Sequence, residues 1–392
     1  MHGRHGRRYT IALLPGDGVG PELVAEGRRV LDSVTDRFGH RFIYEELLIG
    51  GAAIDETGSP LPAHTVRVCR NADAVLLGAV GGPKWDKLSA TIRPEQGLLG
   101  IRRDLGLFAN IRPARVHPAL RSTSPLRPER LDNVDLVFVR ELTGGIYFGE
   151  KTLERVPAGE LASDICTYDT GEIERIARVA ADLARTRSGR LTSVDKANVL
   201  ETSRLWRRVT TRVVTEEFPD LALEHMLVDN CAMQLMLNPS RFDVILTDNM
   251  FGDILSDEAA VLAGSIGLLP SASLGSMSDD KPTRPGLYEP IHGSAPDLAG
   301  TNTANPIGMV LSVAMMLRHS LSLGEEARAI EDAVSLAVAD NVRTRDLGGR
   351  ASMTQVTDRV IDNLLLERSS STELHPADRD LASLRHSSRA PQ

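Results

Sequence analysis

Residues 242–264, FDVILTDNMFGDILSDEAAVLAG, place two periodicities end to end. Phe242 to Thr247 is a short apolar run of the kind that forms a buried strand. The residues after it carry apolar side chains at helical spacing as far as Leu269. A strand passing directly into a helix is the building unit of an α/β fold. Inside the helix, Asp253 and Asp257 stand four residues apart, about 40° around the axis, and so share one side. Phe251, Ile254, Leu255 and Leu262 mark a separate apolar face, and Ala260 and Gly264 continue the acid stripe with small residues. Two carboxylates on one side of a core-bound helix repel each other. A hard divalent cation, Mg²⁺ or Mn²⁺, relieves that repulsion with oxygen ligands. The alternative is a helix N-terminus favoured by acidic residues in its first turn.

The same alternation extends outward. YTIALL, RFIYEELLIG, ADAVLLGAV, VDLVFVRE, RLTSVDKANVL and LEHMLVD read as strands, and Glu22 to Val34, Thr170 to Arg187 and Ser203 to Glu217 as helices. This predicts α/β architecture with a largely parallel sheet. PGDGVGPE (15–22) is not a dinucleotide fingerprint, because Pro21 stands where the third glycine belongs; it reads either as a tight strand-to-helix turn opened by proline or as a cofactor contact. The 392 residues suffice for two domains or one large one, and a net charge of −8 argues against nucleic acid or an anionic membrane as partner. No run approaches a membrane span, and the basic start lacks the apolar stretch of a signal peptide. Three cysteines, Cys69, Cys166 and Cys231, share no metal-ligand spacing and read as buried reduced thiols of a cytoplasmic protein. The first eight residues and the Ser- and Arg-rich end from about Arg368 read as polar and unstructured.

Other stretches carry candidate chemistry. Asp229 in MLVDNCAMQLML is expected at the end of an apolar strand, where ligand groups collect in α/β sheets, and no His or Cys set competes for a softer metal. Arg102, Arg112 and Arg140, at expected strand and loop ends, offer bidentate clamps for carboxylates or phosphates; the alternative is surface charge. Tyr147 among glycines and Lys196 after a strand could divide proton transfers beside a cation. Their alternatives are a half-buried tyrosine and a lysine with its head in solvent. The Gly-, Pro- and Asn-rich loop YEPIHGSAPDLAGTNTANPIG (288–308) permits close backbone approach by a ligand, and Asp297 can accept hydrogen bonds from ribose hydroxyls.

In order along the chain, GDGVGPE, GAVGGPKW, GLLGIRR, LFANIRP, VRELTGGIYFGE, SVDKANVL, TDNMFGDILSDEA and EPIHGSAPDLAGTNTANP closely resemble the β-decarboxylating 3-hydroxyacid dehydrogenases, the isocitrate/isopropylmalate dehydrogenase family. The resemblance covers about residues 9 to 365. It implies two α/β domains sharing a large mixed sheet, not a Rossmann fold. One domain is discontinuous (1–108 plus 263–366) and holds the nucleotide loops. The other (109–262) holds the metal and substrate residues and the dimer interface, and 367–392 is a polar tail.

The resemblance also implies site roles. Arg102, Arg112 and Arg140 match the arginines that hold the malate carboxylates. Asp229, Asp253 and Asp257 match the ligands of Mg²⁺ or Mn²⁺, Lys196 the base acting on the C2 hydroxyl, and Tyr147 the acid that protonates C3. Lys196 and Asp229 would reach the site of a second copy, so the active unit would be a homodimer. Leu98 and Leu99, with Val199 from the second copy, match an apolar pocket for an isopropyl group. A third carboxylate against these leucines would lack a counter-ion, which disfavours isocitrate and implies (2R,3S)-3-isopropylmalate, a precursor in leucine biosynthesis. The runner-up is a sibling activity on tartrate, D-malate or homoisocitrate. Gly78, Gly81, Gly82 and Glu95, then His292, Gly293, Ser294, Ala295, Asp297 and Asn305, match nucleotide-contacting positions. Asp297 implies NAD⁺, because its charge would repel a 2′-phosphate.

Overall fold

A computed structural model of the protein describes residues 6–276 and 283–366. The expected polar tail and the first five residues lie outside them. In chain order the elements begin with β1 (Arg8–Gly16), α1 (Gly20–Phe38), β2 (Arg41–Glu46), α2 (Gly50–Thr57), α3 (Ala63–Asn71), β3 (Ala74–Ala79) and α4 (Pro94–Asp104). Next come β4 (Ala109–Arg115), β5 (Asp135–Glu141), the hairpin of β6 (Lys151–Val156) and β7 (Gly159–Asp164), α5 (Thr170–Thr186) and β8 (Arg190–Asp195). Then follow α6 (Glu201–Glu217), β9 (Ala222–Leu227), α7 (Val228–Leu237), β10 (Val244–Thr247) and α8 (Asn249–Ala263). The last are β11 (Pro270–Leu274), β12 (Gly286–Pro290), α9 (Ile307–His319), α10 (Gly324–Ala339) and α11 (Met353–Leu366).

The chain divides into two compact units. One holds the described residues up to Leu107, His117–Pro125 and those from Ala263 on; the other holds Phe108–Val116 and Leu126–Leu262. Ten strands form a large mixed sheet, as the resemblance implied. In the first unit the strand order is β2-β1-β3-β12-β11, parallel throughout except for the antiparallel pair β11 and β12. In the second it is β4-β5-β10-β8-β9, with β4 antiparallel and the rest parallel. Strands covered on both faces need apolar side chains on both, which is why β3, AVLLGA, and β10, VILT, are buried at every position. Helix α5 starts on a capping box: the Glu172 amide donates to Asp169 at 2.8 Å and the Asp169 amide donates to Glu172 at 3.0 Å.

Several expectations are corrected here. The helix after β10 stops at Ala263, where Gly264 takes φ +96°, and only a short turn, Ile266–Leu268, continues toward Leu269. Ile254 is 60% exposed, so the apolar face of α8 is Phe251, Leu255 and Leu262. Arg8, expected in the unstructured start, already pairs with Arg41 in the sheet. Cys69 and Cys231 are buried, with burial pushing each thiol up to about 12, but Cys166 is only half-buried. Among the described residues, no helix is long and apolar enough to cross a membrane.

Phe138 is fully buried at the centre of β5. Phe138→Ala is expected to remove about 3–5 kcal/mol of stability, read as a lower urea midpoint; an unchanged midpoint would contradict this packing.

Candidate active site

The strand pair β4–β5 sets the floor of the second unit's site. Arg140 faces Asn110 across the pair, and Arg112 faces Phe138, so Asn110, Arg112 and Arg140 project from one side of the sheet. Helix α8 lies across that side with Asn249, Asp253, Ser256 and Asp257, a spacing that keeps all four on one stripe. The Arg112 guanidinium donates to Ser256 Oγ at 2.8 Å and to Asn110 Oδ1 at 2.7 Å, and lies 3.5 Å from both Asp253 and Asp257. Arg140 donates to Asn249 Oδ1 from Nε at 3.1 Å and from Nη2 at 2.8 Å, and through Nη1 to Asp253. Both guanidiniums are buried, whereas the Asp253 and Asp257 side chains are 36% and 53% exposed. The carboxylates therefore meet solvent, and the arginines beneath them do not. Burial raises the Asp257 carboxyl and the Asp253 charge adds to this, while Arg112 opposes.

Gly252 allows α8 to come this close. A Cβ there would fall 2.3 Å from Thr247 Oγ1 and 2.7 Å from Arg140 Cγ.

Tyr147 reaches the same carboxylate, its hydroxyl donating to Asp253 Oδ2 at 2.9 Å. Its ring lies 5.8 Å from the Arg140 guanidinium. Burial, reinforced by the Asp253 charge, pushes its phenol up to about 12, so it holds its proton at neutral pH. The turn that carries it is fixed by Glu141, which is fully buried and accepts the amides of Thr143 at 2.9 Å and Gly144 at 2.7 Å. Gly144 and Gly145 are glycine because the Tyr168 ring covers them: a Cβ at Gly145, which has φ +76°, would meet its hydroxyl at 2.4 Å.

Lys196 directly follows β8, as expected, and hydrogen-bonds Asp229 through Nζ. The ammonium holds the Asp229 carboxyl below the usual carboxylate range. Asp229 does not end a strand: β9 stops at Leu227 and Asp229 sits in the first turn of α7. Beside Lys196, buried Asp195 accepts a bidentate pair from Arg207 at 2.8 and 2.9 Å and the Ala197 amide at 2.9 Å. Val199, a few residues on, is 61% exposed. Thus Arg112, Arg140, Tyr147, Asp253 and Asp257 are brought together, and Lys196 and Asp229 form their own pair. Among the described residues no three His, Cys, Asp or Glu converge as a metal-binding set.

The first unit holds the remaining candidates. Arg102 is not at a strand or loop end but in the last turn of α4, buried, donating to buried Glu289 at 2.6 Å; its Nε has no acceptor among the described residues. On the same helix Leu98 packs on the core cluster of Ile49, Leu77 and Ile101, while Leu99 is half-buried and Glu95 exposed. Gly78 lies inside β3, where a Cβ would meet Pro15 O at 2.4 Å and Gly20 Cα, at the start of α1, at 2.6 Å, so it serves close packing of β3 on β1 and α1. Gly81 and Gly82 take φ +105° and +153°. His292 bonds the Gly293 carbonyl through Nδ1 at 2.8 Å, and burial lowers its pKa. Ser294 is buried, Ala295 is left-handed at φ 37°, and Asp297 is exposed. The Asn305 side chain is engaged, accepting the Ile307 amide at 3.0 Å and donating to Asp346 at 2.9 Å.

Sequence reading missed the residues that organise these parts. Asp17, inside the PGDGVGPE turn, is buried and accepts three amides, each at 2.8 Å, from Gly51, Ala52 and Gly81. The Val19 amide of the same turn donates to Ser294 O at 2.8 Å, and a Cβ on Gly18 would sit 2.0 Å from that oxygen. One turn therefore fixes both loops matched to nucleotide contacts. A carboxylate between two left-handed glycines was the available signal. Asn249, Ser256 and Glu141 were missed too, because each stands beside a more conspicuous charged residue.

The residues fit the groups the resemblance implies. Asp253 and Asp257 offer only oxygen donors at a solvent-facing edge, suited to a hard cation. The 288–308 loop has an exposed carboxylate at Asp297, exposed Leu298 beside it and no Lys or Arg, suited to ribose hydroxyls and not to a 2′-phosphate.

The sequence matches the family model "Isocitrate/isopropylmalate dehydrogenase" over residues 10–364. It is 58% identical over 338 residues to 3-isopropylmalate dehydrogenase of Rhodopirellula baltica, covering 86% of this chain and 92% of that protein. It is 56% identical over 360 residues to the enzyme of the same name from Oleidesulfovibrio alaskensis, covering 91% and 99%. The crystal structure of isocitrate dehydrogenase from Methylococcus capsulatus superposes with a TM-score of 0.79 at 33% identity, over 91% of this chain and 99% of that one.

Asp17→Ala is expected to cost roughly 3 kcal/mol, because it strands three amides, those of Gly51 and Gly81 buried and that of Ala52 partly so, and Asp17→Asn, which keeps an acceptor, about half as much. Urea denaturation reads the difference. Equal midpoints for wild type and Asp17→Ala would show that the turn does not depend on this carboxylate.

Proposed function

The chain belongs to the isocitrate/isopropylmalate dehydrogenase family, and from that premise we propose that it oxidatively decarboxylates (2R,3S)-3-isopropylmalate to 4-methyl-2-oxopentanoate and CO₂ in leucine biosynthesis, with NAD⁺ and Mg²⁺ or Mn²⁺. The observation that carries the reading is the convergence of two buried arginines and the Tyr147 hydroxyl on Asp253. Arg112 and Arg140, with Arg102, bind the malate carboxylates, and their burial keeps water from weakening that attraction. Asp253 and Asp257, with Asp229 of a second copy, hold the cation. The bound cation would supply stabilisation of negative charge on the C2 oxygen, and NAD⁺ would supply the hydride acceptor. Lys196 of the second copy takes the proton from the C2 hydroxyl. Tyr147, protonated at neutral pH, returns one to C3 after CO₂ leaves. Leu98 and Leu99, with Val199 of the second copy, surround the isopropyl group, and Asp297 accepts the ribose hydroxyls. Exposure of Asp229 and Val199, with half-buried Lys196 beside them, supports a homodimer in which each copy completes the other's site.

NADH production with 3-isopropylmalate should exceed that with D-malate, tartrate, isocitrate or homoisocitrate, and EDTA should abolish it. Preference for another acid would overturn the substrate assignment. Lys196→Ala should lower kcat by roughly 10²-fold or more; an unaltered rate would remove Lys196 from the chemistry. Asp253→Asn should raise the Mg²⁺ concentration needed for half-maximal rate while the far-UV spectrum stays unchanged.

A further inference from the structure

Asn249 belongs to none of the roles above, yet both polar atoms of its side chain are engaged. It is 1% exposed. Its Oδ1 accepts from two Arg140 nitrogens, at 3.1 and 2.8 Å, and its Nδ2 donates to the Gly144 carbonyl at 3.1 Å. Its own amide donates to the Tyr168 hydroxyl at 2.9 Å. We propose that Asn249 is a positioning residue that orients Arg140 without neutralising it and, through the same amide group, locks the turn carrying Tyr147. The proposal rests on the functional reading above.

A buried guanidinium needs acceptors along its edges, and a carboxylate is the stronger one. Helix α8 supplies a carboxylate, Asp253, to the Nη1 edge and a neutral amide to the Nε–Nη2 edge. A second carboxylate would fix the plane equally well but would compete electrostatically with a substrate carboxylate. The amide sets direction and leaves the charge available.

The donor end matters as much. Glu141 grips the Thr143–Gly144 turn by its amides, and Asn249 grips it by the Gly144 carbonyl. Tyr147 follows three residues later. Arg140 and the Tyr147 turn are thus referenced to one side chain, which is referenced to the helix bearing Asp253 and Asp257. Aspartate lacks the donor and adds charge; leucine, of similar size, lacks donor and acceptor.

The test uses the full-length protein and the variants Asn249→Asp and Asn249→Leu. Three quantities are measured: the Kd of 3-isopropylmalate with Mg²⁺ and without NAD⁺ by calorimetry, kcat and KM, and Tm. Asn249→Asp should weaken binding about tenfold through the added charge and lower kcat about tenfold through the loosened turn, at a Tm within a few degrees of wild type. Asn249→Leu should lower kcat further. If Asn249→Leu does not fold, Asn249→Asp decides alone. Wild-type Kd and kcat in a folded Asn249→Asp variant would overturn the inference while leaving the functional reading intact. So would losses in Asn249→Asp that track Tm with Kd unchanged, since that is the mark of a merely structural role. A wild-type protein that does not bind 3-isopropylmalate would overturn the functional reading and the inference with it.

Discussion

Two guanidinium groups, Arg112 and Arg140, are withdrawn from water in one unit, and most of that unit's organisation around the site answers the cost. Burying a cation without partners is prohibitive. The strand pair β4–β5 presents both arginines to one side, and α8 crosses that side with a stripe of acceptors: Asn249, Asp253, Ser256 and Asp257. The acid stripe therefore has two duties. It balances the arginines below it, and it leaves carboxylate oxygens at the solvent edge above. Tyr147 joins through Asp253, and burial together with that neighbouring charge keeps its proton in place.

In the other unit a carboxylate has the same organising part with opposite bonding. Asp17 draws three backbone amides inward and so ties the turn after β1 to the start of α2 and to the loop after β3. Trp85, in that loop, is seated over Gly51, where any side chain would overlap its ring at 2.2 Å. Charge placement in both units is thus first a structural solution, and it leaves a few charged groups facing outward.

Much of this was legible in the sequence, for definite reasons. Strands buried on both faces read as unbroken apolar runs, so β3, β5 and β10 were plain, and α5 was plain from its amphipathic spacing. The charged site residues were legible because their types are costly in apolar surroundings. Errors fell where local pattern does not decide. The apolar run before Asp229 continues across the β9–α7 boundary, so the helix start was invisible and the residue was placed on a strand. Ile254 fits the helical period of the core face yet is exposed, since which face is covered depends on packing. Asn249 and Asp17 were passed over because their value lies in hydrogen bonds to distant backbone, which no spacing reveals.

Gly252 shows a further consequence of how closely α8 approaches β5. Glycine in a helix costs about 1 kcal/mol relative to alanine, and the turn bearing Asp253 accepts that cost for proximity to the Arg140 stem. With no side chain, the residue adds shape and no side-chain donor, acceptor or charge. Any substitution would push the helix outward and carry the carboxylates with it. Within the motif TDNMFGDILSDEA, then, one letter is a measure of distance while its neighbours carry charge, and only the folded chain tells the two uses apart.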